Sequence, residues 1–311
     1  MSLLHHWVDM GHLPERPNMA VSLRRLQTDD QSEVDSLCAT VWDGTDYVPS
    51  RFAYWASSEA NSVLGIFEEQ ELVAIVNLEA VPGTRIGWVE GLRVKAGHRN
   101  KGLGTRIVNA VVDAAQKKGL ELLRYATGSL NNESMAVARK CGFTLATEVG
   151  YFKLERPYPN HPKPSPVVTP LRVDAERLLE LLAAFSEVID VERLPIAWSF
   201  DSKDKAGLER IGSQTQFRVV IAEDGTMNAL YYSKFVEDEN RMRGTFHVFA
   251  ADRAIFVDIM SRCVDEVERS EASGASFFVG PRAKEWSRSL GYVSDEFDDR
   301  AFLLFEKQLA D

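Results

Sequence analysis

A glycine-rich stretch with two cations is the part of this sequence best suited to binding an anion. Residues 99–105 read Arg-Asn-Lys-Gly-Leu-Gly-Thr. Gly102 and Gly104 let successive backbone N–H groups converge without Cβ clashes, and a helix predicted to follow directly presents its positive dipole end to the loop. Arg99 and Lys101 add positive charge at the rim. The spacing therefore predicts a cradle for a pyrophosphate group.

The elements on either side must position this loop. Before it, the apolar pattern predicts strands at 20–26, 62–67, 71–80 and 85–94 and helices at 30–42 and 44–60. After it, the pattern predicts a helix at 103–118, a strand at 121–127, a helix at 131–140 and two final strands near 143–148 and 150–155. This order predicts an α/β (α+β) fold, with a mixed central sheet flanked by helices.

The spacing Arg-x-x-Gly-x-Gly after a fourth strand resembles the acetyl-CoA loop of the GNAT acetyltransferase superfamily. The loop lacks the third glycine of a Rossmann fingerprint and the Gly-Lys-Ser/Thr ending of a Walker loop. The resemblance covers residues 20–156 and implies a GNAT fold with acetyl-CoA as the acetyl donor. It also implies cofactor contacts at Leu92, Arg93, Val94, Arg99, Asn100, Lys101, Gly102, Leu103, Gly104, Thr105, Asn131 and Ser134.

Glu90 is the candidate general base. It is the acid in the apolar run Val-Glu-Gly-Leu-Arg-Val, so burial is expected to raise its pKa toward the range useful for taking a proton from an ammonium. It resembles the glutamate of the Glu-Gly-aliphatic-x-Val segment in aminoglycoside-type members of the superfamily. The alternative is a structural ion pair between Glu90 and Arg93 or Arg85.

A second group of the implied reaction is the acid that protonates the departing CoA thiolate. Many superfamily members place a tyrosine in the helix after the fifth strand, and this chain has Ala138 at that position. Either Tyr125, Tyr47 or Tyr54 supplies the proton, or the thiolate leaves with hydrogen-bond and water assistance only. Tyr125 is the candidate that we assign.

The segment after the first helix is expected to bind the acceptor. Asp46 or Asp43 could hold an ammonium there, and Arg51 could bind a carboxylate through its planar fork. Aromatic side chains of the same segment could wall a ring: Tyr47, Phe52 and Trp55. An amphipathic helix would instead place these aromatic side chains in the core.

A further resemblance concerns the acceptor. The run Asp46-Tyr-Val-Pro-Ser-Arg-Phe52, together with the Glu90 segment and the character of the second half, resembles the histidine N-acetyltransferase-like family. The resemblance implies a free amino acid such as histidine as acceptor. It also implies a second domain that shapes or covers the site.

The second half is predicted to repeat the first without its chemistry. Residues 157–170 form a linker rich in proline, and 171–311 show a similar order of strands and helices. Where the first half has its loop, residues 249–255 lack glycine and contain an acid, so no cradle is expected. We predict a degenerate GNAT-like domain at 171–311 and a leader or tag-like arm at 1–19; an unrelated α/β domain is the alternative.

Composition excludes several classes of function. A net charge of −10 over 311 residues disfavours nucleic acid as a partner. Three cysteines without Cys-x-x-Cys spacing suggest neither a disulfide framework nor a metal site. We read no signal peptide or membrane span and expect a cytoplasmic monomer or homodimer that acts on a small-molecule amine.

The sequence is also compatible with two functions other than acetylation of a small-molecule amine. Acetylation of a protein or peptide would need an open groove, and an acidic surface could attract basic peptides. A non-catalytic acyl-CoA sensor or binding protein is favoured by Ala138 and disfavoured by Glu90, because a sensor needs no base.

Overall fold

The computed structural model describes residues 21–238 and 241–309. The predicted arm at 1–19 therefore lies outside the described residues. The strands are β1 (Val21–Arg25), β2 (Asn61–Glu68), β3 (Glu71–Ala80), β4 (Ile86–Val94), β5 (Leu122–Gly128), β6 (Thr144–Glu155), β7 (Leu171–Val173), β8 (Arg193–Ile196), β9 (Ser199–Ser202), β10 (Phe217–Ile221), β11 (Met227–Asp238), β12 (Arg241–Ala250), β13 (Gly274–Val279) and β14 (Ala301–Gln308).

Eight α-helices accompany these strands in the described part of the chain. They are α1 (Gln31–Cys38), α2 (Val48–Ser57), α3 (Leu103–Lys117), α4 (Asn132–Lys140), α5 (Ala175–Ala184), α6 (Lys205–Gly212), α7 (Arg253–Glu268) and α8 (Pro281–Ser289). Helix α3 confirms the prediction at 103–118, because its three-to-four apolar spacing buries Ile107, Val108, Val111 and Ala115.

Twelve strands form one mixed sheet that runs through both halves. Their order is β1-β2-β3-β4-β5-β14-β6-β13-β12-β11-β10-β7, and β8 and β9 form a separate hairpin. The predicted mixed sheet flanked by helices is confirmed. The division into domains at 20–156, 157–170 and 171–311 stays a prediction.

At the centre of the sheet, strands of the first half alternate with strands of the second half. Strand β14, the last of the chain, lies between β5 and β6 and pairs antiparallel with both. Strand β6 pairs on its other side with β13. The sequence predicts two strands near 143–148 and 150–155, but β6 is one continuous strand, and β14 lies beside β5.

Strand β14 contributes to the cores of both halves because its side chains alternate between two faces. Leu303 and Phe305 pack in the first-half core with α3 and α4. Phe302 and Leu304 pack in the second-half core. The two halves therefore share one strand as well as one sheet.

A buried arginine ties the β8–β9 hairpin to this junction. Arg124 on β5 is 3% exposed. Its Nε donates to Glu306 on β14 at 3.0 Å, and its two terminal nitrogens donate to Asp201 at 3.2 Å and Ser202 at 2.9 Å on β9. The hairpin therefore lies on the face of the sheet toward which Arg124 points.

Candidate active site

Strands β4 and β5 separate at the centre of the first half. Their parallel pairing ends at Val89 opposite Tyr125. Just beyond, the register of β4 against β3 shifts, and Gly91 adopts a φ of +68°. A Cβ on Gly91 would lie 2.9 Å from the Trp55 ring, so both the backbone conformation and the space require glycine. The result is a fork whose β4 edge has no β5 partner after Val89.

The predicted anion loop lies next to this fork. Gly102 begins α3 with a φ of +81°, and no side chain caps the first turn of the helix. A Cβ on Gly104 would come within 3.1 Å of Val137 on α4, so the loop packs closely against that helix. Arg99 and Lys101 are exposed at the rim. Uncapped N–H groups at a helix start beside two cations fit a pyrophosphate.

The corresponding helix of the second half is closed to such a ligand. Its Asp252 caps α7, and one carboxylate oxygen accepts the N–H groups of Ala254 at 2.8 Å and Ile255 at 3.0 Å. Strands β12 and β13 also stay paired as far as Val248 and Val279. An internal carboxylate thus occupies the position that the first half leaves open.

Glu90 lies on β4 at the entrance to the fork. Burial is the main cause that raises the pKa of Glu90 to about 7, and the negative charge of Glu79 adds to it. The hydrogen bond from Asn77 and the positive charge of Arg51 lower the pKa but only partly offset these effects. Asn77 Nδ2 donates to Glu90 at 3.3 Å. The alternative of an ion pair with Arg93 or Arg85 is not observed, because Arg93 pairs with Asp46 and Arg85 with Glu121.

Asp46 and Arg93 form a buried ion pair. The two guanidinium contacts measure 2.7 and 2.8 Å, and the Asp46 side chain is 1% exposed. The same carboxylate accepts the Val48 N–H at 3.1 Å near the start of α2. Both oxygens of Asp46 are thus engaged by the protein, which gives it a structural role that differs from the predicted acceptor contact. The side chain of Asp43 lies outside the described part of the chain.

The aromatic residues of α2 and the turn before it divide into two groups. Phe52 and Trp55 are buried in the core beneath α2, as the alternative reading of this segment predicted. Tyr47 is 39% exposed, yet its hydroxyl interacts with the Gly91 backbone, and burial, then the charge of Glu90, raise its pKa to about 12. Tyr47 is therefore the aromatic residue of this segment that borders Glu90.

Arg51 is a cation whose charge affects two carboxyl groups, those of Glu79 and Glu90. Its positive charge lowers the pKa of both Glu79 and Glu90. Within residues 21–238 and 241–309, its side chain forms no hydrogen bond or ion pair. Glu79 likewise lacks such a partner in the described structure, and burial raises its pKa. A partly buried acid and a guanidinium without such a partner thus act on the pKa of Glu90 in opposite directions.

One group elsewhere in the described residues has the geometry of a metal site. His161, Asp265 and Glu268 each place one ligand atom within 4.8 Å of the others. However, Asp265 already accepts from His161 at 3.1 Å and from Arg269 at 2.9 Å. We interpret the group as a polar contact between the linker and α7.

The sequence model of the acetyltransferase (GNAT) family matches residues 23–143. This chain contains a GNAT acetyltransferase domain. The family transfers an acetyl group from acetyl-CoA, and the uncapped loop beside the fork fits that donor.

Solved structures resemble the whole chain, including the second half. A GCN5-related N-acetyltransferase from Sphaerobacter thermophilus is 13% identical, with a TM-score of 0.58 over 94% of this chain and 96% of that one. A tandem GNAT protein from the clavulanic acid biosynthesis pathway is 10% identical, with a TM-score of 0.56 over 94% and 99%. At these identities the likeness establishes the fold. No curated protein matches this chain in sequence. No helix of the described residues is long and apolar enough to cross a membrane.

Within the GNAT domain, Tyr125 reaches the helix face that carries Ala138. Its hydroxyl lies 2.5 Å from Ser134 Oγ, one helical turn before Ala138 on α4. Ser134 in turn donates its backbone N–H to the Asn131 side chain at 3.0 Å. Burial raises the pKa of Tyr125. The structure therefore places a tyrosine hydroxyl beside the fork although α4 carries none.

The remaining predicted cofactor residues lie in three adjoining segments. Leu92, Arg93 and Val94 line β4 beyond the fork, residues 99–102 form the loop, and Leu103, Gly104 and Thr105 begin α3. An exposed contact of 3.9 Å between Arg99 and Glu133 links the loop to α4. These segments are close enough to contact one bound molecule.

Asn77 and Glu79 on β3 are two site residues that the sequence motifs do not identify. Asn77 is fully buried and bonds both Asn61 at 2.6 Å and Glu90 at 3.3 Å. The signal was present, because these polar residues alternate with Val76 and Leu78 at the end of an otherwise apolar strand. Their closeness to Glu90 depends on strand register, which the sequence does not specify.

Proposed function

We propose that this acetyltransferase acts on the amino group of a small molecule, namely a free amino acid such as histidine. One observation carries the proposal: the pKa of the buried Glu90 is raised to about 7 and is affected by the positive charge of Arg51, whose guanidinium has no hydrogen-bond or ion-pair partner in the described structure. A base suits the ammonium end of an amino acid, and a free guanidinium suits its carboxylate.

The residues at the fork support direct transfer. Bound acetyl-CoA supplies the acetyl group as a thioester, whose carbonyl carbon bonds to the amine nitrogen as the C–S bond breaks. Glu90 accepts the proton that the attacking nitrogen loses. A backbone N–H of the β4 segment from Leu92 to Val94 donates to the carbonyl oxygen. Tyr125 donates its hydroxyl proton to the departing sulfur and regains one from solvent.

We expect Tyr125→Phe to lower kcat about tenfold or more, because proton donation by a positioned side chain contributes at least that much. The dissociation constant for acetyl-CoA should change little, since the ring and its packing remain. The exposed Tyr54→Phe provides a matched control and should behave as wild type. Equal kcat values for the two variants would remove Tyr125 from the mechanism.

The dependence of kcat/KM on pH should follow the ionisation of Glu90. A base works only when deprotonated, so kcat/KM is expected to rise as the pH increases through about 7, the pKa of Glu90. Glu79→Gln removes a negative charge that raises this pKa, so the rising limb should move to lower pH. Glu223→Gln, an exposed change in the second half, is the control. A limb that stays in place in Glu79→Gln would contradict this assignment.

A thiol-release assay tests the acceptor. Acetyl-CoA is supplied with each of the twenty amino acids, common polyamines, an aminoglycoside and a basic peptide. We expect release with one amino acid, lost in Arg51→Ala. Release with the peptide alone would overturn the proposal in favour of protein acetylation.

An acyl-CoA sensor is the second candidate, favoured by Ala138 in place of the usual tyrosine. A sensor would bind acetyl-CoA tightly in calorimetry without releasing thiol for any acceptor. Glu90 and the free guanidinium of Arg51 count against this function, because neither is needed to bind acetyl-CoA alone.

A further inference from the structure

Two buried asparagines lie on the face of the sheet that carries Glu90. Asn77 on β3 is directly opposite Glu90 on β4. Asn61 on β2 is opposite Glu79, two positions beyond Asn77 along β3. Residues two apart on a strand, and residues directly opposite on neighbouring strands, point to the same face. Both asparagine side chains are fully buried there.

Hydrogen bonds connect the two asparagines to Glu90 in one series. Asn77 Nδ2 donates to Asn61 Oδ1 at 2.6 Å and to Glu90 Oε1 at 3.3 Å. An ionised carboxylate only accepts hydrogen bonds, so it requires the nitrogen of the Asn77 amide rather than the oxygen. Asn61 Oδ1 is also an acceptor and requires the same nitrogen. Asn61 therefore favours the orientation of the Asn77 amide that suits ionised Glu90.

Core packing does not explain why amides occupy these two positions. Asn61 Nδ2 and Asn77 Oδ1 are buried and have no hydrogen-bond partner within residues 21–238 and 241–309. Such atoms are unfavourable, and a pair of apolar side chains of similar shape is tolerated at least as well. On the same face, Val63 and Ile75 pack in the core beneath α1 and α2. The contact with Glu90 is therefore the feature that distinguishes the two amides from their apolar neighbours.

We propose that Asn61 is a positioning residue for Glu90, which it holds in place at the fork through the amide of Asn77. The inference rests on the proposed function, in which Glu90 is the base, and it assigns a role to a residue two strands away from that base. Without Asn61, the Asn77 amide can turn its oxygen toward Glu90. An oxygen in that position disfavours the ionised carboxyl group, which is the form that accepts a proton.

Two leucine variants and two measurements test this inference. Asn61→Leu and Asn77→Leu keep the approximate shape of the side chain and remove its hydrogen-bonding atoms. The control is Ser276→Ala, which removes another fully buried polar atom without a hydrogen-bond partner in the described residues, on β13 of the second half. The first measurement is the dependence of kcat/KM on pH. The second is the NMR titration of the Glu90 carboxyl carbon in the protein without ligands, with its signal identified by its loss in Glu90→Gln.

We expect Asn77→Leu to move the ionisation of Glu90 to higher pH by about one unit, because a hydrogen bond to a charged group contributes about tenfold or more to an equilibrium. Asn61→Leu should move it in the same direction by a smaller amount, since Asn77 remains. Both measurements should show the same shift, and Ser276→Ala should match wild type in each.

Three other side chains interact electrostatically with Glu90. The charges of Glu79 on β3 and Arg51 on α2 affect its pKa, and its own charge affects the pKa of Tyr47 before α2. The leucine variants leave all three in place, so a shift reports the lost amide. Glu79→Gln is expected to move the ionisation to lower pH, which is the opposite direction.

The melting temperature separates positioning from a structural role. At about pH 6, Glu90 is largely protonated given its pKa of about 7. The double variant Asn61→Leu/Asn77→Leu should then melt no lower than wild type, because both partners of the buried hydrogen bond are replaced together. A lower melting temperature with an unchanged ionisation of Glu90 would assign the pair a structural role and overturn the proposal.

The outcomes separate this inference from the function on which it rests. If Glu90 ionises in Asn61→Leu as it does in wild type, Asn61 does not act on Glu90, whatever Asn77→Leu shows. If the proposed function fails instead, Glu90→Gln keeps its kcat, while the carboxyl carbon of Glu90 still titrates at higher pH in Asn61→Leu. Asn61→Ala also removes Oδ1 and carries the same expectation if the leucine variant does not fold.

Discussion

Replacing Glu90 with glutamine should reduce kcat by about 10²- to 10⁴-fold, the contribution of general base catalysis by a positioned side chain. Glutamine keeps the size of the side chain and can retain a contact with Asn77, but it cannot accept a proton. The measurement is steady-state thiol release at pH 8, where wild-type Glu90 is largely deprotonated given a pKa of about 7.

Binding distinguishes a chemical loss from a structural one. The dissociation constant for acetyl-CoA, measured by calorimetry, should be the same in Glu90→Gln and wild type, because the anion loop lies in another segment. Glu223→Gln is the matched control for the loss of one negative charge. If Glu90→Gln keeps kcat within threefold of wild type, Glu90 is not the base.

Removing β14 should prevent the first half from folding. A chain that ends at residue 300 lacks the strand that pairs with both β5 and β6 at the centre of the sheet. Four large apolar side chains of this strand are at most 5% exposed: Phe302, Leu303, Leu304 and Phe305. Truncating one buried side chain of this size typically costs about 2–5 kcal/mol. Losing four together rivals the total stability of about 5–15 kcal/mol that domains possess.

The same reasoning applies to residues 20–156 expressed alone. This fragment contains the anion loop and Glu90, yet it lacks β14, so we expect an aggregated or unfolded product by circular dichroism and gel filtration. A chain lacking only residues 310 and 311 is the control and should fold as wild type. A folded fragment with wild-type affinity for acetyl-CoA would show that β14 is dispensable.

The elements of the first half could be predicted because local patterns determine them. Helix α3 follows its apolar stripe, and β4 follows the apolar run around Glu90. The anion loop depends on two glycines, Gly102 and Gly104, that are only two positions apart in sequence. Such features need no knowledge of distant parts of the chain.

Partners that are distant in sequence could not be predicted in the same way. The apolar run of β14 is typical of a central strand, but nothing in it specifies β5 and β6 as neighbours. Asp46 looked available for an acceptor because Arg93, which occupies it, lies 47 positions away.

We propose that the chain transfers an acetyl group to the amino group of a free amino acid. The most direct measurement is mass spectrometry of the products formed from acetyl-CoA and an equimolar mixture of all twenty amino acids. We expect one dominant N-acetylated amino acid, formed by wild type and strongly reduced in Glu90→Gln and Arg51→Met. Unmodified amino acids, in a sample that still acetylates a polyamine or a basic peptide, would contradict it.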